Sequence, residues 1–201
     1  MKIGPKYKIA RRLGAPIFEK TQTQKYALAL GRKEKNGKVP RPQKSEFGKQ
    51  LIEKQKARFT YGIGEKQFAK YVKSSLLSKD PIQKLFIILE LRLDNVLYRS
   101  GLAKTRLQAR QMASHGHAVL NGRRVTIPSI TLKMGDKVTI REGSSASMLF
   151  SEALERMKAN ATPAWLSVSP EKRVAEIKGE PLYVPSEAMF DLGSVLEFYS
   201  R

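Results

Sequence analysis

The residues of this chain best suited to chemistry are arginines at helical spacing near the middle of the sequence. Arg106 and Arg110 lie four residues apart, so a helix would present both on one face. A guanidinium group is planar and can form two parallel hydrogen bonds to a phosphate. A second pair, Arg123 and Arg124, follows a strong turn signal. These four side chains predict one compact anion-binding face.

Residues with catalytic or metal-binding chemistry do not form a convincing set. His115 and His117 are the only histidines, and two ligands one residue apart need further partners to hold a metal. Residues 62–66 resemble a phosphate loop, but they lack its spacing and its Lys-Ser/Thr ending. The chain has no cysteine, which excludes disulfides, thiolate zinc sites and cysteine nucleophiles. We therefore expect no enzyme, no cofactor and no metal.

The charge distribution favours a polyanionic partner. The 201 residues carry 38 Lys and Arg against 18 Asp and Glu, a net charge of +20. Residues 1–58 hold +13 and residues 91–142 hold +7, whereas residues 143–201 hold −2. Nucleic acid and an anionic membrane are the two candidate partners. No apolar run reaches the ~18 residues of a membrane span, and no basic helix carries bulky aromatics. We expect a cytoplasmic protein with no membrane partner.

The first half of the chain predicts an arm followed by helices. Residues 1–45 are rich in Gly, Pro and basic residues and show weak apolar periodicity, which indicates an extended basic arm. The arm is either a solvated tail or a segment that orders on a polyanion, and its charge favours the second. Ser45 is a good N-cap. We expect residues 46–90 to form a helical domain, completed by part of 157–201.

The segment 91–156 predicts a helix-plus-hairpin module. Thr105 and Gln108 have capping-box spacing, and Gly116 would end the helix. Asn121-Gly122 between β-forming residues is a strong hairpin signal. Asp94 lies in an apolar stretch without a second acid or base nearby, and it is the expected buried partner of Arg92 or Arg99. A helix break near Glu90 is left open.

The last quarter gives weaker signals. We expect one amphipathic helix over residues 146–161, then irregular chain, then a strand-like run over residues 195–199. Residues 157–201 are expected to pack as a tail on the helical domain. The fold class expected for the whole chain is α+β.

Several segments resemble the small RNA-binding module named after ribosomal protein S-four. They are Arg92-Leu93-Asp94-Asn95-Val96, Arg99-Ser100-Gly101, Thr105-Arg106, Ala109-Arg110-Gln111, Ser114-His115 and Val119-Leu120-Asn121-Gly122-Arg123. The same module occurs in some pseudouridine synthases, tRNA synthetases and heat-shock RNA binders, so it leaves the function open.

The flanking segments resemble the S-four family over essentially the whole chain. They are Ile3-Gly4-Pro5-Lys6 to Arg12, Gly48-Lys49-Gln50-Leu51 to Lys56, Tyr61-Gly62, Glu65-Lys66-Gln67-Phe68, Pro163-Ala164-Trp165-Leu166 and Glu197-Phe198-Tyr199-Ser200-Arg201. This pattern is similar to that of bacterial-type S-four proteins of the small ribosomal subunit.

The resemblance implies a structural rRNA-binding protein. Family members bind a helix junction in the body of small-subunit rRNA and nucleate assembly there. They lie beside proteins S-five and S-three near the mRNA entry region, and the S-five contact influences accuracy. Some repress their own messenger RNA. Some also bind a metal cluster in the arm, but residues 21–46 contain no Cys or His, so we expect RNA contact to order the arm instead.

Resemblance and charge together give a set of expected RNA-binding residues. The set comprises Lys6, Arg11, Arg12, Lys49, Lys54, Lys56, Arg58, Lys66, Lys70, Arg92, Arg99, Thr105, Arg106, Arg110, His115, Asn121, Arg123 and Arg124.

The rival hypothesis is an RNA-modifying enzyme such as a pseudouridine synthase. Arg92-Leu93-Asp94 faintly resembles a catalytic tripeptide of those enzymes. Only 59 residues follow position 142, which is too few for their catalytic domain.

Overall fold

A computed structural model describes residues 3–35, 45–145 and 147–200. The chain divides into two compact units. Unit 1 comprises Met1–Leu85 and Tyr183–Arg201, and unit 2 comprises Phe86–Leu182. Unit 1 is helical in its described part and unit 2 combines helices with one antiparallel sheet, so the expected α+β class is confirmed.

Unit 1 contains the helices α1 Lys6–Leu13, α2 Gln24–Lys35, α3 Glu46–Tyr61, α4 Glu65–Ser75, the first half of α5 Pro81–Glu90, and the final helix, α10 Leu192–Ser200. The hydroxyl oxygen of Ser45 accepts a hydrogen bond from the Gly48 N–H at 3.2 Å, as expected of an N-cap. Asp80 accepts one from the Gln83 N–H at 3.1 Å and starts α5. The helix start predicted at Ser45 is confirmed.

The expectation of an arm without regular structure is wrong for residues 3–35. These residues form α1, a short 3₁₀ turn and α2 around a small apolar cluster. Leu13 and Phe18 are buried in that cluster, and the Phe18 ring meets Phe59 of α3 edge to face at 6.2 Å. Protein contacts therefore order this part without RNA. The rest of the expected arm, residues 36–44, lies outside the described residues.

The strand-like run expected at residues 195–199 is instead part of helix α10. Val195, Leu196 and Tyr199 are spaced as on one helical face, and the first two are buried. The Phe198 ring lies 5.3 Å from Phe47 of α3. Five residues are too few to separate the two periods by pattern alone.

Unit 2 is built from the second half of α5, α6 Leu93–Arg99, α7 Arg106–Ser114, the short helix α8 Glu142–Ser145 and a five-stranded sheet. The strands are β1 Ala118–Leu120, β2 Arg123–Val125, β3 Lys137–Ile140, β4 Leu166–Ser169 and β5 Val174–Ile177, in the order β2-β1-β3-β5-β4. All neighbouring strands are antiparallel. The break left open near Glu90 occurs at Leu91 and Arg92, where Arg92 forms a β-bridge with Thr131.

The expected division at residue 156 differs from the observed one. Residues 157–182 belong to unit 2, where β4 and β5 extend the sheet beside β3, and only the chain from Tyr183 onward belongs to unit 1. The segment expected as one helix over residues 146–161 contains a 3₁₀ turn, Met148–Phe150, and the shorter helix α9 Ala153–Ala159. In β5, the buried Ala175 and Ile177 alternate with the half-buried Val174 and Glu176. This period-2 pattern is too short to stand out in the sequence between its flanking turns.

Candidate nucleic-acid interface

Helix α7 is fixed at both ends by the groups that its sequence predicts. The Thr105 hydroxyl accepts a hydrogen bond from the Gln108 N–H at 3.1 Å. The Gln108 side chain accepts from the Lys104 N–H at 2.7 Å, one residue before the donor of an ideal capping box. Gly116 ends the helix with φ +72°. Ala109, Met112 and Ala113 form the buried side of α7, and the half-buried Arg106 and Arg110 lie at the edge of that side.

The first buried acid beneath α7 is Asp94. Its carboxylate accepts from Arg92 Nε at 2.9 Å and Nη2 at 2.7 Å, and Arg110 Nη2 lies 3.1 Å away. The expected pairing with Arg92 is confirmed, and that with Arg99 is replaced by Arg110. The Arg92 side chain is only 1% exposed. Arg92 is therefore removed from the expected RNA contacts, because a buried guanidinium bound to its own carboxylate cannot reach a phosphate.

The second buried acid is Glu90, which the sequence pattern did not single out. Its carboxylate accepts from Arg99 Nε at 3.0 Å and Nη2 at 2.9 Å, and from Asn95 Nδ2 at 3.0 Å. Asn95 Oδ1 in turn accepts from Arg106 Nε at 2.9 Å. The Arg106 guanidinium also lies over the Tyr98 ring, 4.3 Å from its centroid. A buried acid in an apolar helical stretch is the signal that could have identified Glu90.

These contacts bring three of the expected residues, Arg99, Arg106 and Arg110, to the segment 90–98 of unit 2. All three are half-buried, so the stems are held while part of each side chain faces solvent. His115 at the end of α7 is exposed. We call the surface formed by these three arginines the arginine face.

The hairpin after α7 adopts the tight turn that its sequence predicts. Asn121 and Gly122 have φ of +48° and +81°, as the predicted turn requires. The Asn121 amide donates to Asp136 Oδ1 at 2.7 Å and accepts from the Lys137 N–H at 2.8 Å, so the exposed Asn121 holds the turn to β3. Arg123 is exposed, and it remains a candidate contact.

Arg124 connects the hairpin to the end of α7. Its Nε donates to the Gly116 carbonyl at 3.2 Å and its Nη2 donates to the His115 carbonyl at 3.3 Å. These oxygens belong to the terminal carbonyls that a helix leaves without intrahelical partners. Arg124 therefore orients the hairpin as well as adding charge.

A Gly116→Ala substitution should displace Arg124. A Cβ at Gly116 would lie 2.3 Å from Arg124 Nε, and φ +72° strains any other residue. Gly122 has a similar φ of +81° with nothing within 4 Å, so Gly122→Ala tests strain alone. We expect Gly116→Ala to destabilise unit 2 by ~1 kcal/mol more than Gly122→Ala, the size of one hydrogen bond.

Denaturation followed by Trp165 fluorescence measures this difference, because the single tryptophan packs against the core of unit 2. Equal losses in the two variants would show that Arg124 does not hold the hairpin.

The remaining histidine is not a phosphate contact. His117 Nδ1 lies 2.9 Å from the Ser144 hydroxyl oxygen. Burial lowers the pKa of His117, and the positive charges of His115, Arg141 and Arg124 lower it further. These effects favour the neutral form of its ring. No cluster of three or more metal-ligating side chains occurs in the described parts of the chain.

Unit 1 presents basic side chains on several helices. Arg12 on α1, Lys49 on α3, and Lys66 and Lys70 on α4 are exposed. Lys66 and Lys70 are four residues apart and share one face of α4. Their exposure is compatible with phosphate contact.

The other expected basic residues of α1 are partly engaged by the protein. Lys6 lies over the Phe18 ring, 5.6 Å from its centroid. Arg11 Nε donates to the Tyr7 carbonyl at 3.2 Å. Both are half-buried.

Lys54 is buried and leaves the set of expected contacts. Its Nζ lies 3.1 Å from Glu65 Oε1 and 4.2 Å from the centre of the Phe198 ring. Arg58 Nη1 donates to Glu65 Oε2 at 2.6 Å, and the Tyr199 hydroxyl donates to Oε1 at 2.5 Å. Glu65 therefore ties α3, α4 and α10 together. On α3, Lys56 pairs with the half-buried Glu53 at 2.7 Å.

The stability of unit 1 should fall in acid through Glu65. Burial raises the pKa of Glu65, but hydrogen bonds from Tyr199 and Lys54 and the charges of Lys54 and Arg58 outweigh it, so the pKa lies below its ordinary 4.5. A lowered folded-state pKa means that the stabilisation is present above pH 4.5 and is lost as the pH falls through the folded-state value.

Lowering the pH from 6.5 to below 4.5 should reduce the free energy of unfolding of the unchanged protein. We expect this reduction to be smaller in Glu65→Gln. Urea titrations followed by circular dichroism measure it. Glu46→Gln removes an exposed acid of α3 as control. An unchanged pH dependence in Glu65→Gln would contradict the role given to Glu65.

The capped helix, its hairpin and the arginine face define an RNA-binding module within a strongly basic chain. Residues 91–138 match the family model described as S4 domain, and residues 1–91 match that of the ribosomal protein S4/S9 N-terminal domain. The small ribosomal subunit protein uS4 of Roseiflexus castenholzii is 39% identical over 202 residues, covering 99% of this chain and 98% of the relative. That of Geobacillus stearothermophilus is 40% identical over 200 residues, covering 98% of both.

This chain belongs to the uS4 family of small ribosomal subunit proteins. It is a structural, non-enzymatic constituent of the small subunit that binds rRNA, and it resides with the ribosome in the cytoplasm. Among the described residues, none of the helices is long and apolar enough to cross a bilayer.

Proposed function

We propose that this chain binds a helix junction in the body of small-subunit rRNA and nucleates assembly there. The observation that carries the proposal is the arginine face, where Arg106 and Arg110 of the capped helix α7 and Arg99 of α6 lie beside two buried acids. Arg123 adds charge from the hairpin, and exposed Arg12, Lys49, Lys66 and Lys70 do so from unit 1. Half-buried Lys6, Arg11, Lys56 and Arg58 add further positive charge to unit 1.

The arginine face is suited to RNA shape more than to base sequence. Phosphate contacts by Lys and Arg give affinity and register without reading bases. Tyr98, the aromatic side chain at this face, is half-buried beneath Arg106. A base could not stack on it without displacing the guanidinium. Affinity should come mainly from counterion release and fall with salt.

Chemical footprinting of small-subunit rRNA with and without the protein tests the binding proposal. Protections confined to one helix junction of the body support it, whereas protections scattered over the rRNA contradict it. Reconstitution with this protein omitted tests nucleation. Later body proteins should then fail to bind, and normal binding of those proteins would overturn the nucleating role.

The resemblance to the S-four family also supports finer proposals. The protein would contact proteins S-five and S-three near the mRNA entry region, contribute to accuracy through S-five, and repress its own messenger RNA. Crosslinking within the assembled subunit tests the two protein contacts. A reporter fused to its own messenger leader tests repression. Crosslinks only to other proteins would contradict the two protein contacts. A reporter signal that does not change with the amount of this protein would contradict repression.

The structure also bears on the rival enzyme hypothesis. The Asp94 side chain is only 5% exposed and is bound by two arginines, Arg92 and Arg110. The catalytic carboxylate of an RNA-modifying enzyme must reach the nucleobase on which it acts. Asp94 does not, so the resemblance of this tripeptide to a catalytic motif has no chemical counterpart here.

A further inference from the structure

The polar chain that runs from Glu90 through Asn95 to Arg106 lies within one unit and ends at the arginine face. Glu90 is fully buried, and its carboxylate accepts three hydrogen bonds from Arg99 and Asn95. A buried carboxylate with several donors is held in one orientation, because losing any of them would leave charge unsatisfied in a medium of low dielectric constant.

The orientation of Glu90 determines that of the Asn95 amide. Asn95 Nδ2 donates both to the Glu90 carboxylate at 3.0 Å and to the Glu90 carbonyl at 2.9 Å. An amide carries donors on nitrogen and an acceptor on oxygen. With two acceptors on one side, Asn95 must direct Oδ1 to the other side, where it accepts from Arg106 Nε at 2.9 Å.

Arg106 is held from two directions as a result. The hydrogen bond from Nε fixes the plane of the guanidinium, and the Tyr98 ring lies against one side of it at 4.3 Å. Both contacts leave the charge in place, because an amide oxygen and the face of an aromatic ring bring no carboxylate to it. An acid in direct contact would instead have neutralised part of the charge that RNA must meet.

The geometry points to Glu90 and Asn95 as positioning residues for RNA binding, which preorganise Arg106 for a phosphate through a buried hydrogen-bond relay. This inference rests on the proposed function and assigns work to two residues that do not touch RNA. Fixing a long side chain before binding reduces the ordering entropy lost on association. The relay would therefore raise affinity although Glu90 carries the wrong charge for a polyanion.

A double-mutant cycle of Asn95→Ala and Arg106→Ala tests the relay. The probe is a transcript of full-length small-subunit rRNA, with an unrelated RNA of equal length as reference. Arg106→Ala should weaken binding about tenfold, as expected for one charge-assisted contact. Asn95→Ala should cause most of that loss, and the double variant should lie within about twofold of Arg106→Ala. A double variant whose loss of affinity equals the product of the two single losses would overturn the inference.

A second variant gives a test of sign. Glu90→Gln raises the net charge by one, so electrostatics alone predicts tighter binding to RNA. The relay predicts weaker binding, because a glutamine cannot accept all three hydrogen bonds. Equal or tighter binding by the folded variant would contradict the relay. Gln111→Ala, at an exposed site of α7, is the matched control and should bind as the unchanged protein does.

Trp165 fluorescence shows whether each variant is folded at the assay temperature. If Asn95→Ala and Glu90→Gln both unfold, the relay is tested instead by the rate of hydrogen exchange with solvent at the Arg106 Nε–H of the unchanged protein. Protected exchange supports the relay, and exchange as fast as that of exposed Arg123 overturns it. The proposed function fails separately, if the unchanged protein binds the rRNA no more tightly than the reference RNA.

Discussion

Replacing Arg106 and Arg110 together by alanine should weaken binding to small-subunit rRNA about 100-fold, about tenfold for each phosphate that is no longer bound. Both arginines are half-buried and lie on one face of α7, one turn apart. The slope of log affinity against log salt should also fall by about 2, because each neutralised phosphate contributes roughly 0.9 on a duplex. Filter binding at a series of salt concentrations measures both quantities.

The matched control removes the same charge elsewhere in unit 2. Lys172 and Lys178 flank β5, are exposed, and lie outside the expected contact set. Lys172→Ala with Lys178→Ala should change affinity and slope far less than the α7 pair. If the control weakens binding equally, the protein attracts RNA through overall charge, and the arginine face has no special role.

The fold of the double α7 variant should remain intact, so that the weaker binding reports on RNA contact. Arg92 still satisfies both oxygens of Asp94 when Arg110 is removed. Arg106 lies at the outer end of its relay, so its removal leaves the Glu90 contacts with Arg99 and Asn95 in place. Unchanged Trp165 fluorescence would establish this.

The parts of unit 2 that the sequence predicts well are those decided by neighbouring residues. Thr105 caps α7 and Gly116 ends it, because cap and terminator act within one turn of the chain. Asn121 and Gly122 give the hairpin for the same reason, since both adopt the positive φ of a tight turn. Such signals need no knowledge of the tertiary structure.

The roles of individual arginines could not be predicted in this way. Arg92 and Arg110 both contact Asp94, yet one is buried and the other reaches solvent. The difference arises because the chain breaks at Arg92 and bridges to Thr131, which turns that side chain inward. The bridging residue is almost forty positions away in the sequence, so no local pattern reveals it.

The N-terminal helices were missed for a related reason. Leu13 and Phe18 belong to one cluster, but they lie on different short elements separated by Gly14 and Pro16. No window is long enough to show a single period. The cluster also packs against Ile52 and Phe59 of α3, which are contacts between distant segments.

Removing the buried acid at Asp94 should destabilise unit 2 by about 3–5 kcal/mol, the usual cost of leaving one member of a buried ion pair without its partner. In Asp94→Ala, the Arg92 guanidinium loses both hydrogen bonds to the carboxylate while its side chain remains 1% exposed. Arg110 loses this carboxylate as well, but it is partly solvated and contributes less. Guanidinium chloride denaturation followed by Trp165 fluorescence measures the change in stability.

The second variant of this experiment removes both charges. Arg92→Met with Asp94→Leu replaces the pair by apolar side chains of similar length and should recover most of the stability that Asp94→Ala removes, since apolar replacements of buried ion pairs are often neutral. The same variant should still bind rRNA less tightly than the unchanged protein, because Arg110 no longer has the carboxylate that orients it. A double variant as unstable as Asp94→Ala would contradict the assignment of the instability to an unpaired buried charge. Full affinity in a stable double variant would show that Asp94 stabilises the fold without orienting Arg110.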